Sequence, residues 1–205
     1  MWTQYSRLSV VLLLSLALAT TTGCKKKHIK TFMAIVAVSV AAKIIYDMAI
    51  EQRSEQTEND KQVVNKYKEQ HSELPDEPQL LAYQTNIMPG SIINPGNSVS
   101  IQSSLEVVRG RDSSVVEIKE RITIYDNKDP DLELKSLEKV VNQDTNRCGA
   151  FKNEFTFTLP KGMPQGVYPI KTTVIVDGKE FQVVENKMQL VSIDSESSGV
   201  LIAAN

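Results

Sequence analysis

The chain has 205 residues, 41% of them apolar and 23% charged, with a formal net charge of −2. That is the composition of a globular protein with one ordinary domain and a tail, and it excludes a chain disordered throughout. Positive charge is concentrated at Lys25, Lys26, Lys27 and Lys30, which leaves the rest acidic and argues against nucleic acid as a partner, since such a binder needs a basic face that carries arginines or aromatics to the bases.

Residues 1–24 read in three parts: a short start carrying Arg7, an apolar run from Leu8 to Ala19, and the small or polar group Thr20-Thr21-Thr22-Gly23 before Cys24. This is the architecture of a signal peptide, and the apolar run falls short of the roughly twenty residues that a spanning helix needs. The Gly23-Cys24 pair resembles the signal of bacterial lipoproteins, although Thr21 and Thr22 stand where that family usually has Leu and then Ala or Ser. The resemblance implies cleavage between Gly23 and Cys24, with acyl chains on the Cys24 thiol as the link to membrane lipid. Two or three such chains anchor stably, because each buried CH₂ contributes about 0.8 kcal/mol. Lys25 is not the aspartate that goes with inner-membrane retention in that family, so the resemblance favours the outer membrane, facing the periplasm. Lys25, Lys26, Lys27 and Lys30 either contact anionic headgroups, at roughly 1 kcal/mol each, or only mark the end of the signal's apolar run.

Residues 31–74 are expected to form a helical, membrane-proximal stalk after the anchor and basic block of 24–30. The apolar stretch from Phe32 to Ile50 contains Lys43 and Asp47. Charges at membrane depth are costly, so a helix lying on the bilayer, or packed on a partner or on the chain's own domain, is favoured over a second span. Thr57 and Asp60 have the spacing to cap a second helix, in which Val63, Val64 and Tyr67 return at helical intervals. Pro75 and Pro78 end it, which makes 75–79 a linker.

From 80 to 193 the period changes to two. Val99, Ile101, Leu105 and Val107 share one phase, and Val116, Ile118, Ile122 and Ile124 make another run. Phe151, Phe155, Phe157 and Leu159 repeat the pattern, as do Tyr168, Ile170, Val174 and Val176. Asp177-Gly178 between two such runs is a two-residue hairpin signal. About seven strands follow, enough for an antiparallel two-sheet sandwich. Gly166-Val167-Tyr168 resembles the start of the penultimate strand of immunoglobulin-like and fibronectin-type domains, and implies a tyrosine at the corner. Residues 194–205 are expected to be a flexible tail.

Candidate chemistry is sparse. His28 and His71 have no second ligand at metal spacing, and Ser113-Ser114 and Ser197-Ser198 lack a nucleophile setting. Asp126, Asp129 and Asp131 crowd one loop, but ordinary turn chemistry is favoured there over calcium. Glu120 falls in the apolar phase of its strand, which places it at a bulge or edge, with a functional buried carboxylate as the alternative. With Cys24 modified, Cys148 has no internal disulfide partner, and a buried apolar role is preferred to a surface thiol. No cofactor, metal or catalytic residue is expected. The reading is a non-enzymatic, membrane-anchored envelope lipoprotein whose sandwich binds or scaffolds an envelope protein. The alternative is a carbohydrate- or cell-wall-binding module, with Tyr83 and Tyr125 as its only plausible exposed aromatics.

Overall fold

The computed structural model describes residues 44, 45 and 47–191. The signal segment 1–23, Cys24, the basic block with Lys25, Lys26, Lys27 and Lys30, His28, Ser197-Ser198 and the tail 194–205 lie outside the described residues. Among those described, the chain is mainly β and forms two sheets. Strands β1 (Ile50–Asn59), β2 (Gln79–Met88), β4 (Ser98–Val108) and β7 (Gly149–Thr158) make a four-stranded sheet in the order β1-β7-β4-β2. Strands β3 (Ile92–Ile93), β5 (Ile118–Tyr125), β6 (Glu133–Val140), β8 (Gly166–Val176) and β9 (Lys179–Leu190) make a five-stranded sheet in the order β3-β9-β8-β5-β6. All pairings are antiparallel except β3 with β9.

The apolar phases read from the sequence are the inward faces of these strands. Phe155, Phe157, Ile101, Ile122, Ile124 and Ile170 meet in one core cluster, and Phe151, Leu105, Val107, Ile118, Val174 and Val176 in a second. Asp177 and Gly178 turn β8 into β9 with φ of 48° and 80°, the paired left-handed geometry of a two-residue hairpin. Tyr168 is buried, and its hydroxyl donates to the Pro164 carbonyl at 2.8 Å, four residues upstream.

The expected helical stalk is corrected over its second half. Residues Ile50–Asn59 are strand β1, paired with β7 from Ile50↔Phe157 to Asn59↔Gly149. Ile45 and Met48, just before it, are buried in the larger core cluster. The apolar end of the stalk is therefore part of the domain's own core. After β1, α1 (Asp60–Gln70) is helical as expected, and its cap is Asn59 with Gln62, a reciprocal pair at 3.1 and 2.9 Å, in place of Thr57 with Asp60. Val63 and Val64 seat α1 on Val108.

The linker expected at 75–79 is not a domain boundary. Leu74 is buried in the same cluster as Val63 and Val108, and the Pro75 carbonyl accepts from Arg111 N at 2.8 Å. Gly110 approaches so closely that an added Cβ would lie 2.6 Å from the Asp76 carbonyl oxygen. The described domain thus begins well before residue 80 and has nine strands, not about seven. The additions are β1 and the two-residue β3. Among the described residues, no helix is long and apolar enough to cross a membrane.

Candidate functional site

Between the two apolar clusters lies a polar layer. On each of four neighbouring inward faces, one polar residue interrupts the apolar series: Ser103 between Ile101 and Leu105, Glu120 between Ile118 and Ile122, Asn153 between Phe151 and Phe155, and Thr172 between Ile170 and Val174. Glu120 is fully buried, and it is neither at an edge nor at a bulge. Its strand runs between β6 and β8, and the ladder is regular through Lys119, Glu120 and Arg121 on both sides. The expected edge position is overturned because partners from the facing sheet satisfy the carboxyl group.

Those partners are specific. Tyr83 Oη donates to Glu120 Oε1 at 2.7 Å, while Ser103 Oγ and Asn153 Nδ2 donate to Oε2 at 2.8 Å each. Ser54 Oγ continues the chain, lying 2.6 Å from Asn153 Oδ1 and 2.8 Å from the Val141 carbonyl oxygen. Burial pushes the Glu120 carboxyl above the ordinary carboxylate range, against the three donors that favour its charged form. Burial, and next the neighbouring Glu120 charge, push the Tyr83 phenol up as well. Tyr83 is therefore a core residue and offers no platform to a sugar. The network bridges the two sheets, but a group with no accessible surface cannot meet a substrate, so the layer is structural.

The other expected chemistry resolves in the same direction. The Asp126 carboxylate accepts from the amides of Lys128 at 2.8 Å and Asp129 at 3.0 Å, and Asp129 accepts from the Asp131 amide at 3.1 Å, so these aspartates fold their own turn. No group of three potential metal ligands occurs among the described residues. His71 stacks on Tyr67 at 4.4 Å at the end of α1. Cys148 is buried in the second core cluster, and burial pushes its thiol up to about 12. Lys171 Nζ sits 5.1 Å from the centre of the Tyr125 ring.

The accessible candidate is the outward face of the four-stranded sheet. It is concave, with a cavity of about 600 Å³. Two cross-strand rows floor it, Arg53–Glu154–Gln102–Asn86 and Glu55–Lys152–Ser104–Gln84, each read from β1 across β7 and β4 to β2. Glu154 accepts from Ser100 and Gln102, and these bonds hold its carboxylate below the ordinary range. Among the described residues, Arg53 and Lys152 form no ion pair. The outward face of the other sheet is the opposite case: Lys119 pairs with Glu117 and Glu138, Arg121 with Glu138 and Glu180, and Lys171 with Glu185.

Comparison with known proteins adds no family. No protein-family model matches the chain, and no curated protein matches it. Solved structures resemble part of it. The CARDB domain of a Pyrococcus furiosus protein, in complex with di-metal ions, is 15% identical with a TM-score of 0.37, and the match covers 58% of this chain and 93% of that one. The alkylpurine DNA glycosylase AlkC of Pseudomonas fluorescens, bound to DNA containing an abasic site analog, is 13% identical with a TM-score of 0.34, over 57% of this chain and 31% of that one. A β-glucosidase from Listeria innocua is 12% identical with a TM-score of 0.33, over 53% and 16%. The chain thus spans about a third of the glycosylase and less of the glucosidase. At these scores the likenesses bear on neither activity nor ligand.

Proposed function

We propose that this chain is a membrane-anchored envelope lipoprotein, acylated at Cys24, with an immunoglobulin-like sandwich that binds or scaffolds a partner protein through the concave face of its four-stranded sheet. The observation that carries the binding face is the contrast between the two outward faces. One has three of its cations, Lys119, Arg121 and Lys171, in ion pairs, whereas the other presents Lys152 and the amides of Gln84 and Asn86 in a hollow, with Lys152 in no ion pair among the described residues. Unspent donors around a concavity are what a polar partner surface can engage.

The Gly23-Cys24 pair supports the anchor, and the Tyr168 hydroxyl on the Pro164 carbonyl supports the immunoglobulin-like assignment. A protein partner is favoured over a glycan because the two tyrosines that a glycan site would use are taken. Tyr83 is buried, and Lys171 lies over the ring of Tyr125.

The test has two arms. Fatty-acid labelling and membrane fractionation of the wild type and Cys24→Ser should give label and membrane retention in the wild type alone. Label on neither would remove the lipoprotein reading. A photo-crosslinking residue at Gln102, in the hollow, should give protein adducts in the intact envelope, and one at Val183, exposed on the outward face of the other sheet, should not. Equal adducts at both positions would remove the assignment of the face.

A further inference from the structure

The strand β1 ends its sheet, and among the described residues no backbone hydrogen bond joins residues 50–56 to any element but β7. An open edge of this kind is a template for another strand. We propose that it pairs with the β1 strand of a second copy of this chain, antiparallel and centred on Ser54, to make one continuous eight-stranded sheet across a two-fold axis.

The register follows from geometry and charge. In a regular antiparallel ladder, opposed residues must both turn their peptide groups toward the partner or both away, so a self-pairing strand has a residue, not a peptide bond, on its axis. A β-bulge between Gln56 and Glu58 limits the regular part to residues 50–56. Centring on Arg53 would oppose Arg53 to itself and Glu51 to Glu55, and centring on Glu55 would oppose that carboxylate to itself. Like charges directly opposite destabilise a sheet. Centring on Gln52 pairs Glu51 with Arg53 over residues 50–54, but leaves the Glu55 carboxylate opposite Ala49, outside the strand. Centring on Ser54 opposes Arg53 to Glu55 twice and Gln52 to Gln56 twice, keeps residues 52–56 in register, and leaves Glu51 opposite the uncharged Thr57 and Ile50 opposite the end of the strand.

The other opposed pair in this register is uncharged. Gln52 Nε2 is buried and has no hydrogen-bond partner. Gln56 spends its Nε2 on the Cys148 carbonyl at 3.4 Å, which leaves its Oε1 to accept. With Ser54 on the axis, Gln52 of each copy is opposed to Gln56 of the other along the ladder, and neither brings a charge against a like charge. Arg53 and Glu55 are exposed and make no ion pair within the described residues, so each is available across the axis.

A charge swap on the full chain tests the inference, with sedimentation or light scattering reading the mass against concentration. The wild type should dimerise. Arg53→Glu and Glu55→Arg, each of which sets like charges face to face at two positions, should weaken the dimer at least tenfold. The double variant R53E/E55R should restore it, because both pairs are again opposite in sign. Ser54→Cys should give a disulfide-linked dimer on oxidation, since residues opposed across an antiparallel ladder lie within disulfide reach. A wild type that stays monomeric, single variants that dimerise as it does, or a double variant as weak as the singles each overturns the proposal. Circular dichroism on every variant separates loss of pairing from loss of fold.

Discussion

Glu120 shows how one residue ties stability to pH. Its folded-state carboxyl is raised by burial, so the folded chain holds that proton at a pH where the unfolded chain has released it. The contribution to stability is complete below the ordinary glutamate value of about 4.3 and is lost as pH rises through the folded value. The melting temperature should therefore fall on going from mildly acidic to alkaline buffer, and Glu120→Gln should flatten that dependence and melt higher at the alkaline end. A slope that persists in the variant would move the cause to another group. Glu120→Ala should cost about 3–5 kcal/mol, since it leaves a cavity and strands the Tyr83, Ser103 and Asn153 donors. Cys148 makes a simpler case. Burial pushes its thiol up to about 12, so it carries almost no thiolate at pH 8, and the group is shielded from solvent besides. Maleimide should leave Cys148 untouched in the native chain and label it stoichiometrically in denaturant. Fast native labelling would mean that the second core cluster opens.

At the scale of elements, the helix α1 depends on a cap that its own sequence disguises. Asn59 Oδ1 accepts from Gln62 N and Gln62 Oε1 accepts from Asn59 N, so two otherwise orphaned donors of the first turn are satisfied. Asn59→Ala should cost about 1 kcal/mol and lower the melting temperature by roughly 2–4 °C for a domain of this size. Thr57→Ala, at the position that spacing alone suggested, should stay within about 0.5 kcal/mol. The pair of variants separates the two caps in one thermal-melt series. The same contrast explains which elements can be read from residues alone. β4, β5, β7 and β8 bury apolar residues at alternate positions with a single polar interruption each, and the Asp177-Gly178 turn fixes its own geometry, so all five are legible. β1 is not, because the residues that alternate inward along it are Ile50, Gln52, Ser54 and Gln56. Three of the four are polar, and their pairing with β7 and the polar layer makes the strand. Glu120 was visible as an anomaly in an apolar phase. Its three donors lie on β2, β4 and β7, and no local pattern could have brought them together.

For the whole molecule, the consequence is where the folded unit begins. Ile45 and Met48 belong to the larger core cluster, β1 covers the edge of β7, and α1 with Leu74 covers Val108. A chain cut to begin at Leu80, where the alternating pattern starts, loses all of these at once. The edge of β7, with Phe151, Phe155 and Phe157 on its inward face, would then be open to pairing with other chains. Val108 would lose its cover, and the Ser54 link in the polar network would go with β1. Each loss is a few kcal/mol against a total stability of about 5–15 kcal/mol, so the shortened domain should not hold together. A chain that begins at Lys43 keeps every one of these contacts and should unfold cooperatively. Thermal unfolding followed by circular dichroism decides between them: a sharp transition for the longer piece and aggregation, or none, for the shorter. If the piece from Leu80 melts as sharply, β1 and α1 are accessories to a self-sufficient sandwich, and the chain before residue 80 is a stalk after all.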